Sequence, residues 1–137
     1  MTETILDNII HLKERCNSLL DEFGADLGLS SRESALLLSL EEYEEINSNS
    51  LSERMNLSAS RISRIVDRLI QKGYLHRRPA EDDRRYIEIS LTVKGMEAKK
   101  KIAEVKKICE DKIRSKINAG DIETVKKALN ILLHSME

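Results

Sequence analysis

The apolar positions of this chain fall into stripes at helical spacing, interrupted once by a stretch at strand spacing. Ile5, Leu6, Ile9, Ile10, Leu12, Cys16, Leu19, Leu20 and Phe23 recur at threes and fours, which predicts an amphipathic helix that stops near Gly24. Ser30 followed by Glu33 is a capping-box signature, and Ala35, Leu36, Leu37, Leu38 and Leu40 supply the apolar content of a second helix. The run Asn47-Ser48-Asn49-Ser50 is a polar break ahead of a short helix with Leu51 and Met55 inward, and each of its four residues is able to cap that helix. After the turn Asn56-Leu57-Ser58, Ser58 is placed to cap a helix whose Ile62, Ile65, Val66, Leu69 and Ile70 form one clean stripe, ended by Gly73.

The period then changes. Ile87, Ile89 and Leu91 face one way while Tyr86, Glu88 and Ser90 face the other, so 74–78 and 86–91 read as two strands joined by the charged loop 79–85. Thr92 is placed to cap a long helix over 93–117, with Met96, Ile102, Val105, Ile108, Cys109, Ile113 and Ile117 along one side. Past Asn118-Ala119-Gly120, Asp121 is expected to cap a last helix carrying Ile122, Val125, Leu129, Leu132, Leu133 and Met136. Short helix, tight turn, amphipathic helix and hairpin follow one another in the order of a winged helix-turn-helix. The expected fold class is therefore mainly α with a small β-hairpin wing: a winged helix-turn-helix plus terminal dimerisation helices.

Composition sharpens this in a few respects. One Pro, five Gly, one Phe, three Tyr and no Trp in 137 residues exclude a turn-rich all-β fold and require an aliphatic core. Cys16 and Cys109 stand far apart with no paired Cys/His spacing, so neither a disulfide framework nor a zinc site is expected. His11, His76 and His134 are scattered, and no metal or cofactor is implied. No apolar run approaches the roughly eighteen residues needed to span a bilayer, so no membrane partner is expected. The opening Met1-Thr2-Glu3 lacks the basic and apolar regions of a signal peptide, and the expected location is the cytoplasm.

The formal net charge of −1 argues at first against nucleic acid, but it is an average over unlike segments. Residues 1–50 hold three basic side chains against eleven acidic ones, whereas 51–95 hold ten against six and 96–137 ten against seven. The segment 51–95, where the winged helix-turn-helix is expected, is thus a basic segment inside a nearly neutral chain.

On the helix that starts at Ser58, the residues beside or opposite the apolar stripe are Ser60, Arg61, Ser63, Arg64, Asp67 and Arg68. At about 100° per residue, Arg61, Arg64 and Arg68 fall within roughly 60° of arc and make one basic stripe. Arginine chelates guanine edges or holds phosphates, and the serine hydroxyls near the helix start reach either. A solvated surface helix is the plain alternative. The hairpin favours DNA: Arg77 and Arg78 lie on its incoming strand and Arg84 and Arg85 end its loop. A wing laid on the backbone is able to push an arginine into the minor groove. Asp83, two residues before Arg85, is placed to fix that guanidinium. The plain alternative here is a hairpin loop with weak local ion pairs.

Asp83-x-Arg85, five residues, Leu91-Thr92, two residues and Gly95 resemble the DxRxxxxxLTxxG pattern of MarR-family transcriptional regulators. The run 57–69 is similar to that family's recognition helix, with Ala59 where the family usually has proline. The resemblance is specific over 46–96. It implies a single MarR-like domain over 1–137, with a winged DNA-binding region over 30–95 and dimerisation helices over 1–29 and 96–137. It also implies a homodimer on a pseudo-palindromic double-stranded operator, acting as a repressor and released by a small-molecule effector. Arg85 would enter the minor groove, and Ser60, Arg61 and Arg64 would face the major groove. Ser58, Ser60, Arg61, Ser63, Arg64, Arg68, Arg77, Asp83, Arg84 and Arg85 form the expected DNA-binding set.

The terminal helices point to a dimer on their own account, because their stripes are too apolar for lone extensions beside a small winged domain. Cys16 continues the stripe of Ile9, Leu12 and Leu19 and reads as a small hydrophobe; redox sensing through Cys16, beside Arg15, is the alternative. Cys109, mid-stripe between Val105 and Ile113, reads as core. No Gly-rich phosphate loop, Ser/Cys-His-Asp set or metal-spaced carboxylate cluster occurs, so no enzyme is expected. A winged domain used only for protein–protein contact is the remaining rival, and in it Arg61, Arg64, Arg68 and Arg85 are dispensable for DNA.

Overall fold

A computed structural model describes residues 2–22, 27–83 and 85–137. The chain divides into two compact units, Gly24–Glu104 and the pair Met1–Phe23 with Val105–Glu137.

After α1 (Ile5–Glu22), which belongs to the other unit, the first unit contains α2 (Ser31–Ser39), α3 (Ser48–Met55) and α4 (Ala59–Gln71). The Ser30 box forms as expected: Ser30 Oγ accepts from the Glu33 amide at 3.2 Å, and Glu33 Oε1 accepts from the Ser30 amide at 2.9 Å. Of the four candidates ahead of α3, Asn47 is the cap, its Oδ1 accepting from the Ser50 amide at 2.8 Å. Asn56, at φ 53, ends α3 in the left-handed conformation that asparagine tolerates. Ser58 Oγ accepts from the Arg61 amide at 3.3 Å and starts α4. Gly73, at φ 87, closes α4, with its amide on the Ile70 carbonyl at 3.0 Å and the Tyr74 amide on the Leu69 carbonyl at 2.8 Å.

Two strands were expected and three form: β1 (Ile46–Asn47), β2 (Leu75–Pro79) and β3 (Ile87–Leu91), antiparallel in the order β1-β3-β2. The unexpected β1 is two residues long and pairs Ile46 with Ile89 and Asn47 with Glu88. β2 is therefore an edge strand, where Pro79 is tolerated. Leu36, Leu37, Leu40, Leu51, Ile62, Leu69 and Ile89 are fully buried, and the core continues along the N-terminal half of α5 (Val93–Lys116) to Ala98 and Ile102. Ile87, expected on the inner face with Ile89 and Leu91, is exposed at the loop end of the hairpin. Thr92 Oγ1 accepts from the Gly95 amide at 2.9 Å and so caps α5. The helices of this unit meet without a buried side-chain nitrogen or oxygen lacking a partner among the described residues.

The second unit contains α1 (Ile5–Glu22), the C-terminal half of α5, a 3₁₀ turn (Ala119–Asp121) and α6 (Ile122–Ser135). Phe23 and Gly24, expected at the end of α1, lie outside the described residues. Asp121 precedes α6 but makes no capping bond, because its backbone is already helical in the 3₁₀ turn. Among the described residues only Val105 and Cys109 are buried in this unit. The expected stripes are present but uncovered: Ile5 is 68% exposed, Leu6 61%, Leu133 66% and Met136 61%. Ile5, Ile9 and Leu12 of α1 face Ala128, Ile131 and Leu132 of α6 across an apolar groove of about 350 Å³. Among the described residues no helix is long and apolar enough to cross a membrane.

Candidate nucleic-acid interface

The amphipathic stripe of α4 fixes which side chains face out. Ile62, Ile65, Val66 and Leu69 are buried, which leaves Ser58, Ser60, Arg61, Ser63, Arg64, Asp67 and Arg68 exposed. Ser58 Oγ and Ser60 Oγ lie 3.3 Å apart at the helix start. Arg61, Arg64 and Arg68 make no ion pair with any described residue. Their guanidinium groups, with five donors each, are free for an external acceptor.

The arginines around them behave differently. Arg54 of α3 grips both oxygens of Glu44 at 2.7 Å and donates to the Ser39 carbonyl at 2.9 Å, tying α3 to the segment after α2. That hydrogen-bonded guanidinium holds the Glu44 carboxyl at about 2, well below the usual carboxylate range. Arg78 of β2 pairs with Glu45. Arg77, expected among the DNA-binding residues, pairs with Asp67 of α4, so its charge joins the wing strand to the helix.

At the wing tip Asp83 and Arg85 meet as their spacing suggests. The Asp83 carboxylate accepts from Arg85 Nε at 3.1 Å, from Nη2 at 3.0 Å and from the Arg85 amide at 3.1 Å. The pair pushes the Asp83 carboxyl below its ordinary value and the Arg85 guanidinium above its own. The Arg85 side chain remains 87% exposed, so the carboxylate orients it without covering it. Arg84 lies outside the described residues.

One neighbour of Arg85 escaped the sequence. Asn47, Ser48, Asn49 and Ser50 at the start of α3 line a groove of about 370 Å³ together with Glu53, Arg85, Tyr86 and Ile87. The signal was present in the run 47–50, which spacing identified only as a break and a cap. Amides and hydroxyls at a helix start beside an arginine suit an anionic oxygen.

Cys16 is exposed on α1, against the expectation that it is core, because the α1 stripe has no counterpart covering it within the described chain. Cys109 is buried as expected, 3.8 Å from the Leu19 carbonyl, and burial pushes its thiol up. Among the described residues no group of three His, Cys, Asp or Glu is placed to hold a metal ion.

Residues 29–87 match the family model described as MarR family. The chain is 30% identical over 89 residues to the HTH-type transcriptional regulator PapX of Escherichia coli, a match covering 64% of this chain and 54% of PapX. The chain spans about half the length of the curated relatives it matches. Among solved structures it resembles the S. aureus MepR–DNA complex, with a TM-score of 0.80, 15% identity and coverage of 98% of this chain and 99% of that one. It also resembles a mutant MarR from E. coli complexed with operator DNA, with a TM-score of 0.74, 22% identity and coverage of 93% of each chain. These likenesses establish the fold.

Proposed function

We propose that this chain, whose residues 29–87 match the MarR family model, binds double-stranded operator DNA as a homodimer and regulates transcription, in the manner of a repressor. The observation that carries this reading is the contrast among arginines. Arg54, Arg77, Arg78 and Arg85 each have a carboxylate, whereas Arg61, Arg64 and Arg68 on α4 present an uncompensated basic stripe among the described residues. A solvated surface helix gains nothing from such repulsion, but a phosphate backbone relieves it and base edges give the forked donors partners.

In this reading α4 enters the major groove with Ser60, Arg61 and Arg64 toward base edges, while Ser58, Ser63 and Arg68 meet the backbone. Arg85, aimed by Asp83, enters the minor groove. Arg77 acts through Asp67 by holding the wing strand to α4. The winged unit, Gly24–Glu104, and the terminal helices divide the work between DNA and dimerisation.

The dimer rests on the terminal unit. Helices that bury only Val105 and Cys109 among the described residues are marginal alone, since a helical face is stabilised mainly by what it packs against. The apolar side chains of α6 spread too widely for α1 to cover them all, and a second copy supplies a matching apolar face by two-fold symmetry. Release by a small-molecule effector follows from the family resemblance, and no described residue names the ligand. Selection from a random duplex pool tests the whole reading: a two-fold symmetric sequence is expected, and recovery of no sequence contradicts it.

A further inference from the structure

Lys72 stands four residues after Arg68, and by helical spacing it would extend the basic stripe of α4. Its ammonium is turned elsewhere. Lys72 Nζ donates to the Gly28 carbonyl at 2.9 Å and to the two oxygens of Glu33 at 3.1 and 3.0 Å. Glu33 is 3% exposed and is the one buried charged residue among those described. Burial alone would raise its carboxyl, but the Ser30 amide and the Lys72 ammonium outweigh that and hold it below the usual range.

The same short segment is held from a second side. Lys94 Nζ donates to the Lys72 carbonyl at 2.8 Å and lies 4.6 Å above the Tyr74 ring, while Thr92 Oγ1 donates to the Gly73 carbonyl at 2.7 Å. Gly28 lies just before α2, and Thr92 and Lys94 stand at the start of α5. Two separate stretches of the chain, the approach to α2 and the start of α5, are thus involved. Both are tied to the three residues that end α4.

We propose that Lys72 is a positioning residue for α4. Through Glu33 and Gly28 on one side, and through its own carbonyl and Lys94 on the other, it fixes the C-terminal end of α4 to the approach to α2 and to the start of α5. The end of α4 is held in place as long as both anchors hold. This inference rests on the DNA-binding reading of α4 but assigns Lys72 no contact with DNA.

The test uses the full chain and the duplex recovered from the random pool, with affinity measured across a salt series for Lys72→Met, Glu33→Gln and the double variant. Each single variant is expected to weaken binding about tenfold with the salt slope unchanged. The double variant is expected to be no weaker than either single, because both break one linkage. Affinities equal to wild type at a temperature well below the melting midpoint would overturn the proposal and leave the linkage a matter of stability alone. A slope shallower by about 1 for Lys72→Met, with Glu33→Gln like wild type, would overturn it in favour of a direct phosphate contact. If Lys72→Met does not fold, Lys94→Met carries the test from the protein surface: about threefold weaker binding at constant slope is expected, and unchanged affinity contradicts the proposal. Failure of the wild-type chain to bind any duplex is a separate result, and it removes the DNA-binding reading itself.

Discussion

The Asp83 carboxylate holds the Arg85 guanidinium along one edge, through Nε at 3.1 Å and Nη2 at 3.0 Å, while the rest of the side chain stands in solvent. An isolated exposed pair of this kind contributes little to stability. Its consequence is directional, because a long, flexible side chain is kept extended from the wing tip.

Arg85→Ala is therefore expected to weaken duplex binding about ten- to a hundredfold while leaving the melting temperature almost unchanged. Asp83→Asn keeps the cation but loses its brace, and the expected loss is smaller. Fluorescence anisotropy with a labelled duplex measures both. An Arg85→Ala chain that binds like wild type would remove the minor-groove contact.

Gly95 packs its α-carbon against the Tyr74 carbonyl, so a β-carbon there would overlap the backbone oxygen. Gly95→Ala has to push α5 away from the end of α4. The expected loss of stability is about 1–3 kcal/mol, measured by urea unfolding. An unchanged midpoint would show that the contact relaxes freely.

The Glu44–Arg54 pair sets an acid dependence. Its carboxyl lies at about 2 in the folded chain against an ordinary value near 4.5. A depressed carboxyl contributes stability that is present above the unfolded value and is lost as pH falls toward the folded one. Stability is expected to decline between about pH 4.5 and pH 2, with this pair contributing about 1 kcal/mol after allowance for solvent screening. Glu44→Gln should flatten that part of the profile, as followed by thermal melts. An identical profile for the variant would show that other carboxylates set it.

The uncovered face of α6 predicts association. Leu129, 44% exposed, stands on that face beside Val125. Leu129→Glu places a charge where the second copy should pack, and sedimentation equilibrium is expected to show a shift from dimer to monomer. A wild-type chain that sediments as a monomer at micromolar concentration contradicts the dimer.

Local chemistry was legible in the sequence and distant pairing was not. The caps at Ser30, Ser58 and Thr92 and the α4 stripe depend on residues three or four apart, so spacing reveals them. Strand β1 is two residues long and exists only because Ile46 meets Ile89. No period of two is readable in so short a segment. Asp67 with Arg77, and Glu33 with Lys72, join different elements, so composition counts those charges without showing that they are spent on each other. Asp83 and Arg85 were readable because the pair spans only one intervening residue. The exposure of Cys16 was hidden for the opposite reason: its stripe is helical and apolar, but periodicity does not say whether the cover comes from the same chain.

The central claim is that the free arginines of α4 meet phosphates and base edges of duplex DNA. The most direct measurement is the affinity for the selected duplex across a salt series, for the wild-type chain and for a variant with Arg61, Arg64 and Arg68 all changed to Ala. A dimer neutralising about 6–10 phosphates predicts a slope of log K against log salt of roughly −5 to −9, and a distinctly shallower slope with much weaker binding for the triple variant. No binding by the wild type at low salt, or the same slope and affinity for both proteins, would contradict the account.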